Sequence, residues 1–181
     1  MSEAQQIYVP SCLRPIDSDG LTKLGEAGKA DPNQIKTLKS KTVLEGQFKN
    51  LNYIRGLDPI IVDEPPGLLG EDTAPNPSEM ALLSLGSCLS VGIQANATAR
   101  GITLTKLEVN LEADINITAV WGTGDVDPEK VLGVREVRAF YDVESPDATR
   151  EELDDLVKHA TKWSPVANTY INPVPVKAEL M

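Results

Sequence analysis

Cysteine and histidine are scarce in this chain of 181 residues, which holds two Cys and one His. Cys12 and Cys88 are far apart in sequence and no Cys-x-x-Cys pair occurs, so a disulfide framework is excluded. Two Cys and one His cannot supply the four nitrogen or sulfur ligands of a structural zinc site. No EF-hand pattern and no glycine-rich phosphate loop is present. The sequence therefore predicts neither a metal nor a cofactor.

Positive charge is also in deficit, because 17 Lys and Arg stand against 27 Asp and Glu, for a formal net charge of −10. This balance argues against nucleic acids and anionic membranes as partners, since both are bound through clustered basic side chains. The first six residues lack the basic and apolar regions of a signal peptide. We therefore expect a cytoplasmic protein, in a compartment where thiols stay reduced.

One uncharged stretch, residues 80–99, is long enough to span a bilayer. Eight of these 20 residues are Ser, Gly, Gln, Asn or Thr, which makes a lone membrane span unfavourable. Asn76 and Glu79 have the spacing of a capping box at the start of a helix. Gly101 suits its C-terminal end. Because apolar residues occur on every side, the pattern predicts a long buried central helix that must be covered all round.

Strict alternation of apolar and polar residues predicts strands over 107–119 and 137–143. Looser patterns predict short strands from Thr42 and over 59–63. The remaining predicted elements are a helix capped by Asp147 or Thr149 and an edge or terminal strand over 174–176. Antiparallel-type strands around one long helix indicate an α+β fold. One subunit offers too little sheet to cover that helix, so we expect a homodimer with shared cores.

The first 40 residues differ from the rest of the chain. Leu21 and Leu24 are spaced as on a helix that follows capping residues, and Asp31 with Pro32 ends this helix. We predict an N-terminal helical appendage over 1–40 and a main domain over 41–181.

Cys88, in the middle of the predicted central helix, is the sharpest candidate for chemistry. Free Cys is commonly a small core residue. As a nucleophile, Cys88 must be ionised to the thiolate. The helix dipole favours negative charge mainly in the first turn, and Cys88 lies about 18 Å along the axis from the start of the helix. A cation from another segment is therefore needed, and Arg55 is the leading candidate. The alternative for Arg55 is a solvated residue of a turn.

Glu79 also has two interpretations. It completes the capping box, which needs no further role, or it orients the cation beside Cys88. Nine residues at about 100° each place Glu79 opposite Cys88 on a straight helix. It could share a site with Cys88 only if the first turn deviates or if a partner subunit contributes.

Three segments in order resemble the OsmC/Ohr family: residues 59–65, residues 70–88, which end in Gly-Ser-Cys, and residues 164–176. The resemblance covers about residues 41–181. It implies an OsmC-like fold in which antiparallel sheets surround a long central helix, in an intertwined homodimer with pockets at the subunit interface. It also implies thiol-dependent reduction of organic hydroperoxides.

The resemblance suggests catalytic roles for three residues, with Cys88 as the peroxidatic thiol and with Arg55 and Glu79 holding the thiolate. Ohr proteins have the Glu one position earlier, where this chain has Ser78. Peroxidase members also have a second Cys where this chain has Ser164. Serine cannot form the resolving disulfide, although Ser164 suits the N-cap of a turn that begins at Pro165.

Two functional hypotheses follow. In the first, Cys88 alone reduces an organic hydroperoxide and an external thiol resolves the oxidised sulfur. In the second, the dimer is a non-catalytic binding module for a small apolar or acyl ligand. Cys12 would replace the missing resolver only if the appendage folds over the site. Asp63 with Glu64 is expected to be solvated charge near a turn, with binding at the mouth of a pocket as the alternative. His159 is expected to form a surface ion pair with Asp155.

Overall fold

The computed structural model describes residues 12–180. It has four α-helices and two small antiparallel sheets, which confirms the predicted α+β class. The chain forms two compact units, one of residues 24–85 and one that joins the described part of 1–23 with 86–180. Helix α1 (Ser18–Ala30) is the predicted appendage helix and has no buried residue. The division of the chain at residue 40 stays a prediction.

The smaller unit contains a three-stranded sheet in the order β1-β2-β3, antiparallel throughout. Its strands are β1 (Ser40–Gly46), β2 (Lys49–Ile54) and β3 (Ile60–Val62). A turn at Arg55 and Gly56 joins β2 to β3, and Leu57 N–H closes it by donating to Ile54 O at 3.3 Å. The short strands predicted from Thr42 and over 59–63 are therefore present.

Helix α2 (Pro77–Arg100) follows the predicted boundaries. The Asn76 N–H donates to Glu79 Oε2 at 2.8 Å and the Glu79 N–H donates to Asn76 Oδ1 at 2.9 Å, which completes the capping box. The helix ends at Gly101, whose φ of +70° is unfavourable for other residues.

Helix α2 is not covered on every side within one subunit. Its fully buried residues form a single stripe with a spacing of four: Leu85, Leu89, Ile93 and Ala97. On another face, Val91 is 68% exposed. By length and composition α2 could cross a membrane, but a core helix of a soluble protein meets the same criteria. The predicted complete burial of this helix is therefore not seen in the single chain.

The larger unit is built on a hairpin of β4 (Lys106–Asn116) and β5 (Gly133–Glu144), paired from Lys106↔Glu144 to Asn116↔Gly133. Helix α3 (Arg150–Trp163) begins at Thr149, whose side chain forms a full capping box with Glu152. It packs its apolar stripe on the C-terminal half of α2. The core cluster consists of Ile93, Ala97, Leu104, Leu153, Leu156 and Ala160. Helix α4 (Pro165–Ile171) follows directly.

The predicted strand over 174–176 is wrong for the described chain, because residues 173–180 lie in no strand. Pro173 and Pro175 are two apart, so the backbone donors that would face the same neighbouring strand are both missing. At the other end, the Leu13 N–H donates to Leu104 O at 2.7 Å. The residues just before α1 are therefore tied to the larger unit.

Candidate functional site

Cys88 lies near the middle of α2 and is partly exposed. Its Sγ accepts a hydrogen bond from Ser164 Oγ at 3.1 Å, although the two residues are 76 positions apart. The structure thus brings together Cys88 and the position at which the resemblance implies a second Cys.

Two glycines of α2 allow its neighbours to approach closely on either side of Cys88. A Cβ at Gly86 would lie 3.3 Å from Leu111 Cδ1 of β4. A Cβ at Gly92 would lie 3.4 Å from Ala160 Cβ of α3. The distance at Gly86 is tighter than an ordinary contact of a Cβ, and the distance at Gly92 is at the short end of van der Waals contact. Small residues in α2 therefore let the hairpin and α3 pack tightly, and the end of α3 carries Ser164.

Ser164 joins two helices, since it is the C-cap of α3 and the N-cap of α4. Its Oγ accepts a hydrogen bond from the Ala167 N–H at 3.1 Å, as the sequence predicts for an N-cap. The residue is only 3% exposed. A buried hydroxyl whose lone pair is used by the backbone directs its single hydrogen elsewhere, and here that hydrogen goes to the sulfur.

Arg55 occupies the turn between β2 and β3 with φ of 55°, a left-handed conformation that costs a residue with a Cβ about 1–2 kcal/mol. The following residue is Gly56, yet the positive φ falls on the arginine. Within the smaller unit, its guanidinium has no ion pair or hydrogen bond with any described residue. A strained, exposed and unpaired cation is therefore available for a partner.

Glu79 is placed by the capping box at the first turn of α2, where its Oε2 binds the Asn76 N–H. Glu79 and Arg55 both belong to the smaller unit, and no ion pair joins them there among the described residues. The capping role is thus present, and the role of orienting Arg55 stays a prediction.

Asp63 and Glu64 are not solvated, which corrects the expectation from the sequence. Asp63 is 1% exposed, and its carboxylate accepts hydrogen bonds from the Glu64 N–H, the Thr73 N–H and Thr73 Oγ1 at 2.8–3.0 Å. Hydrogen bonds from Thr73, above all, lower the pKa of Asp63. The loop that follows β3 folds back so that Thr73 contacts Asp63. The sequence pattern of a few neighbouring residues does not predict such a contact.

Glu64 is 7% exposed, and its Oε2 is buried without a hydrogen-bond partner among the described residues. Burial raises the pKa of Glu64, and the nearby carboxylates of Asp63 and Glu79 raise it further. The two neighbours therefore have opposite shifts. One carboxylate is satisfied by donors and the other is not.

Among the described residues, no hydrogen bond or ion pair joins His159 or Cys12 to Cys88. Asp155 pairs with Arg100 at 2.7 Å instead of with His159, because α3 turns this carboxylate toward the end of α2. The His159 ring lies 6.4 Å from the ring of Trp163. Cys12 is exposed. The predicted ion pair of His159 is therefore wrong.

A family model described as OsmC-like protein matches residues 70–179. The chain belongs to the OsmC-like family. The matched span includes Glu79, Cys88 and Ser164, and it begins after Arg55. The resemblance found in the sequence is thereby confirmed for the segment that holds the cysteine. No protein of curated function matches the sequence of the chain.

The structure is also similar to solved OsmC-like proteins. An OsmC-like protein from Mycoplasma pneumoniae is 20% identical, with a TM-score of 0.63 over 76% of this chain and 89% of that one. The organic hydroperoxide resistance protein OsmC from Legionella pneumophila is 20% identical, with a TM-score of 0.53 over 75% and 90%. An organic hydroperoxide resistance protein from Elizabethkingia anophelis is 19% identical, with a TM-score of 0.54 over 75% and 89%. At these identities the likeness establishes the fold alone.

Proposed function

We propose that this OsmC-like protein is a thiol-dependent reductase of organic hydroperoxides in which Cys88 is the only redox-active residue of the chain. The observation that carries the proposal is a partly exposed sulfur at mid-helix, hydrogen bonded to a buried hydroxyl. Two similar structures are of proteins named for organic hydroperoxide resistance. Family membership supports the same class of chemistry.

The reaction begins with the Cys88 thiolate, which attacks the distal oxygen of the hydroperoxide. The O–O bond breaks, the sulfur is oxidised to sulfenic acid, and the alkoxide takes a proton to leave as an alcohol. An external thiol then attacks the sulfenic sulfur, which releases water and forms a mixed disulfide. A second external thiol reduces that disulfide, frees the Cys88 thiol, and is itself oxidised.

The external thiol is needed because Ser164 occupies the place of a resolving cysteine. A hydroxyl 3.1 Å from Sγ is close enough for contact but cannot form an S–S bond. Ser164→Cys should therefore replace the external thiol with an internal resolving cysteine. A disulfide should form between Cys88 and the introduced thiol after one equivalent of hydroperoxide. Failure to form it would argue against the sulfenic-acid step.

Arg55 is proposed to stabilise the thiolate, and Glu79 to orient Arg55. The strained backbone of Arg55 supports this role, since strain is retained where a side chain is needed in one place. Its guanidinium is also unpaired within the described part of the smaller unit. One carboxylate oxygen of Glu79 serves the capping box, and the second oxygen can accept from a guanidinium.

The functional form is proposed to be a cytoplasmic homodimer. Within one subunit α2 leaves apolar side chains such as Leu83 and Val91 more than half exposed. Large apolar patches on a soluble protein mark interaction surfaces. A second copy would cover them, and it would also allow Arg55 or Glu79 to act across the subunits.

The test is a peroxidase assay with cumene hydroperoxide and dithiothreitol as substrates. Cys88→Ala should abolish turnover, and Cys12→Ser should leave it unchanged. Arg55→Gly should lower kcat/KM by about 100-fold, the loss expected for a charge-assisted contact, while the fold keeps its stability because Gly accepts a positive φ. Wild-type turnover equal to that of Cys88→Ala would remove the enzymatic proposal.

A non-catalytic binding module is the alternative. A cavity of about 300 Å³ lies between β5 and α3 and is lined mainly by apolar side chains, with Arg150 and Asp154 as its charged residues. A small apolar or acyl ligand would suit this composition. Binding of octanoate that persists in Cys88→Ala, together with absent peroxidase turnover, would favour the module over the enzyme.

A further inference from the structure

Ser164 contributes two separable groups, a lone pair that caps α4 and a hydrogen that points at Cys88. The Ala167 N–H donates to Oγ at 3.1 Å, and Oγ donates to Sγ at the same distance. A serine hydroxyl has one hydrogen and two lone pairs, so both bonds can exist together. Capping therefore fixes the oxygen in the position from which it reaches the sulfur.

We infer that Ser164 is a catalytic hydrogen-bond donor that favours the thiolate of Cys88, and is more than a redox-silent replacement for a second cysteine. This inference rests on the proposed function. A hydrogen bond donated to the charged form of a group stabilises that form. Such bonds to ionised acceptors are stronger than bonds between neutral groups. Because Ser164 is only 3% exposed, water competes poorly for its hydroxyl hydrogen, which stays directed at the sulfur.

The position of the sulfur in the middle of α2 leaves its negative charge without stabilisation from the helix itself. Cys88 lies well beyond the first turn of α2, so the N-terminal backbone donors of that helix cannot stabilise its charge. Within the larger unit, Ser164 is the described side chain whose hydrogen bond to Sγ the structure records. A hydroxyl there therefore keeps the sulfur nucleophilic while leaving it open to an external thiol.

The capping and donor roles can be separated by substitution. Ser164→Gly removes the donor while costing the cap only a few tenths of a kcal/mol. Ser164→Thr keeps both the capping lone pair and the hydroxyl hydrogen. The matched control is Thr149, the N-cap of α3, whose hydroxyl accepts from the Glu152 N–H at 3.2 Å. Thr149→Gly weakens a comparable cap in the same unit.

The experiment measures alkylation of Cys88 by iodoacetamide from pH 5 to pH 10, with every variant made in Cys12→Ser so that one thiol reacts. For Ser164→Gly we expect the midpoint of the rate profile to move to higher pH, with an approximately ten-fold slower reaction at pH 6.5, because a hydrogen bond to the thiolate is lost. Ser164→Thr should restore the profile of the parent. Thr149→Gly should leave the midpoint in place. Urea unfolding of each variant checks that it is folded, and Ser164→Ala serves as a second donor deletion.

An unchanged midpoint in both Ser164→Gly and Ser164→Ala would overturn the inference. So would an equal shift in Thr149→Gly, since the effect would then come from weakened helix capping. Because the assay contains no hydroperoxide, it is independent of turnover. A shifted midpoint with no turnover of cumene hydroperoxide would refute the proposed function alone, and turnover with an unshifted midpoint would refute the donor role alone.

Discussion

The start and the middle of helix α2 satisfy their polar groups in different ways. At the start, Asn76 and Glu79 bind each other within one turn. In the middle, the partner of Cys88 is Ser164, which arrives from the junction of α3 and α4. Val91, three residues beyond the cysteine, has its side chain mostly exposed. The start is thus complete with local residues, and the middle depends on segments distant in sequence.

This difference indicates where function resides on the helix. A capping box is worth about 1 kcal/mol and serves the helix itself. A mid-helix sulfur with a remote donor serves no purpose in starting or ending a helix. Beside it on the same helix, Val91 is 68% exposed and belongs to the proposed subunit interface. The proposed reactive atom and the proposed subunit interface therefore fall on the same stretch of α2.

The largest effect should follow from charging the exposed face in the middle of α2. Val91→Asp should convert the proposed homodimer to a monomer, because an unpaired carboxylate in an apolar interface costs several kcal/mol. Sedimentation velocity at micromolar concentration measures the change. The sedimentation coefficient of the wild type should correspond to a particle of twice the monomer mass.

The control for that substitution is Trp163→Asp on α3, where the side chain is 65% exposed and comparable to Val91. The tryptophan lies next to Lys162, with the ammonium 5.3 Å from the ring centre. Trp163→Asp should change the unfolding free energy by less than about 1 kcal/mol and leave the dimer intact. A wild-type monomer, or an undisturbed dimer in Val91→Asp, would contradict the proposed interface.

The same contrast explains how much the sequence could predict. The caps at Asn76, Thr149 and Ser164 are visible from spacing because each joins residues within one turn. The approach of Ser164 to Cys88 has no local signal, and only the family resemblance placed the two at one site. Burial of Asp63 was missed since it depends on Thr73, ten residues along the loop.

Removing the charge of Glu79 at the start of α2 should disturb the protein less than introducing a charge at Val91 in the middle of the helix. Glu79→Gln keeps a side chain that can complete a capping box, so the unfolding free energy should stay within about 0.5 kcal/mol of wild type. If the second carboxylate oxygen orients Arg55, kcat/KM for cumene hydroperoxide should fall about ten-fold. Glu79→Ala should reduce both quantities. Full activity in Glu79→Gln would limit Glu79 to capping.

The smallest effects concern the loop that leads into α2, where Asp63 and Glu64 behave in opposite ways. Because the pKa of Glu64 is raised in the folded protein, the folded state holds its proton more tightly than the unfolded chain. Its contribution to stability is fully present below the ordinary value of 4.5 and is lost as the pH rises through the folded pKa. Glu64→Gln should therefore raise the unfolding free energy at pH 7, and the gain should vanish at pH 4.

Asp63→Asn provides the opposite sign in the same loop. The pKa of Asp63 lies below its ordinary 3.8, so its stabilisation is present above that pH and is lost as the pH falls through the folded pKa. The substitution should lower the unfolding free energy at pH 7 and have a smaller effect below pH 3.8. Urea titrations at several pH values measure both variants. Equal pH dependence in the two would mean that the hydrogen bonds from Thr73 do not distinguish these carboxylates in solution.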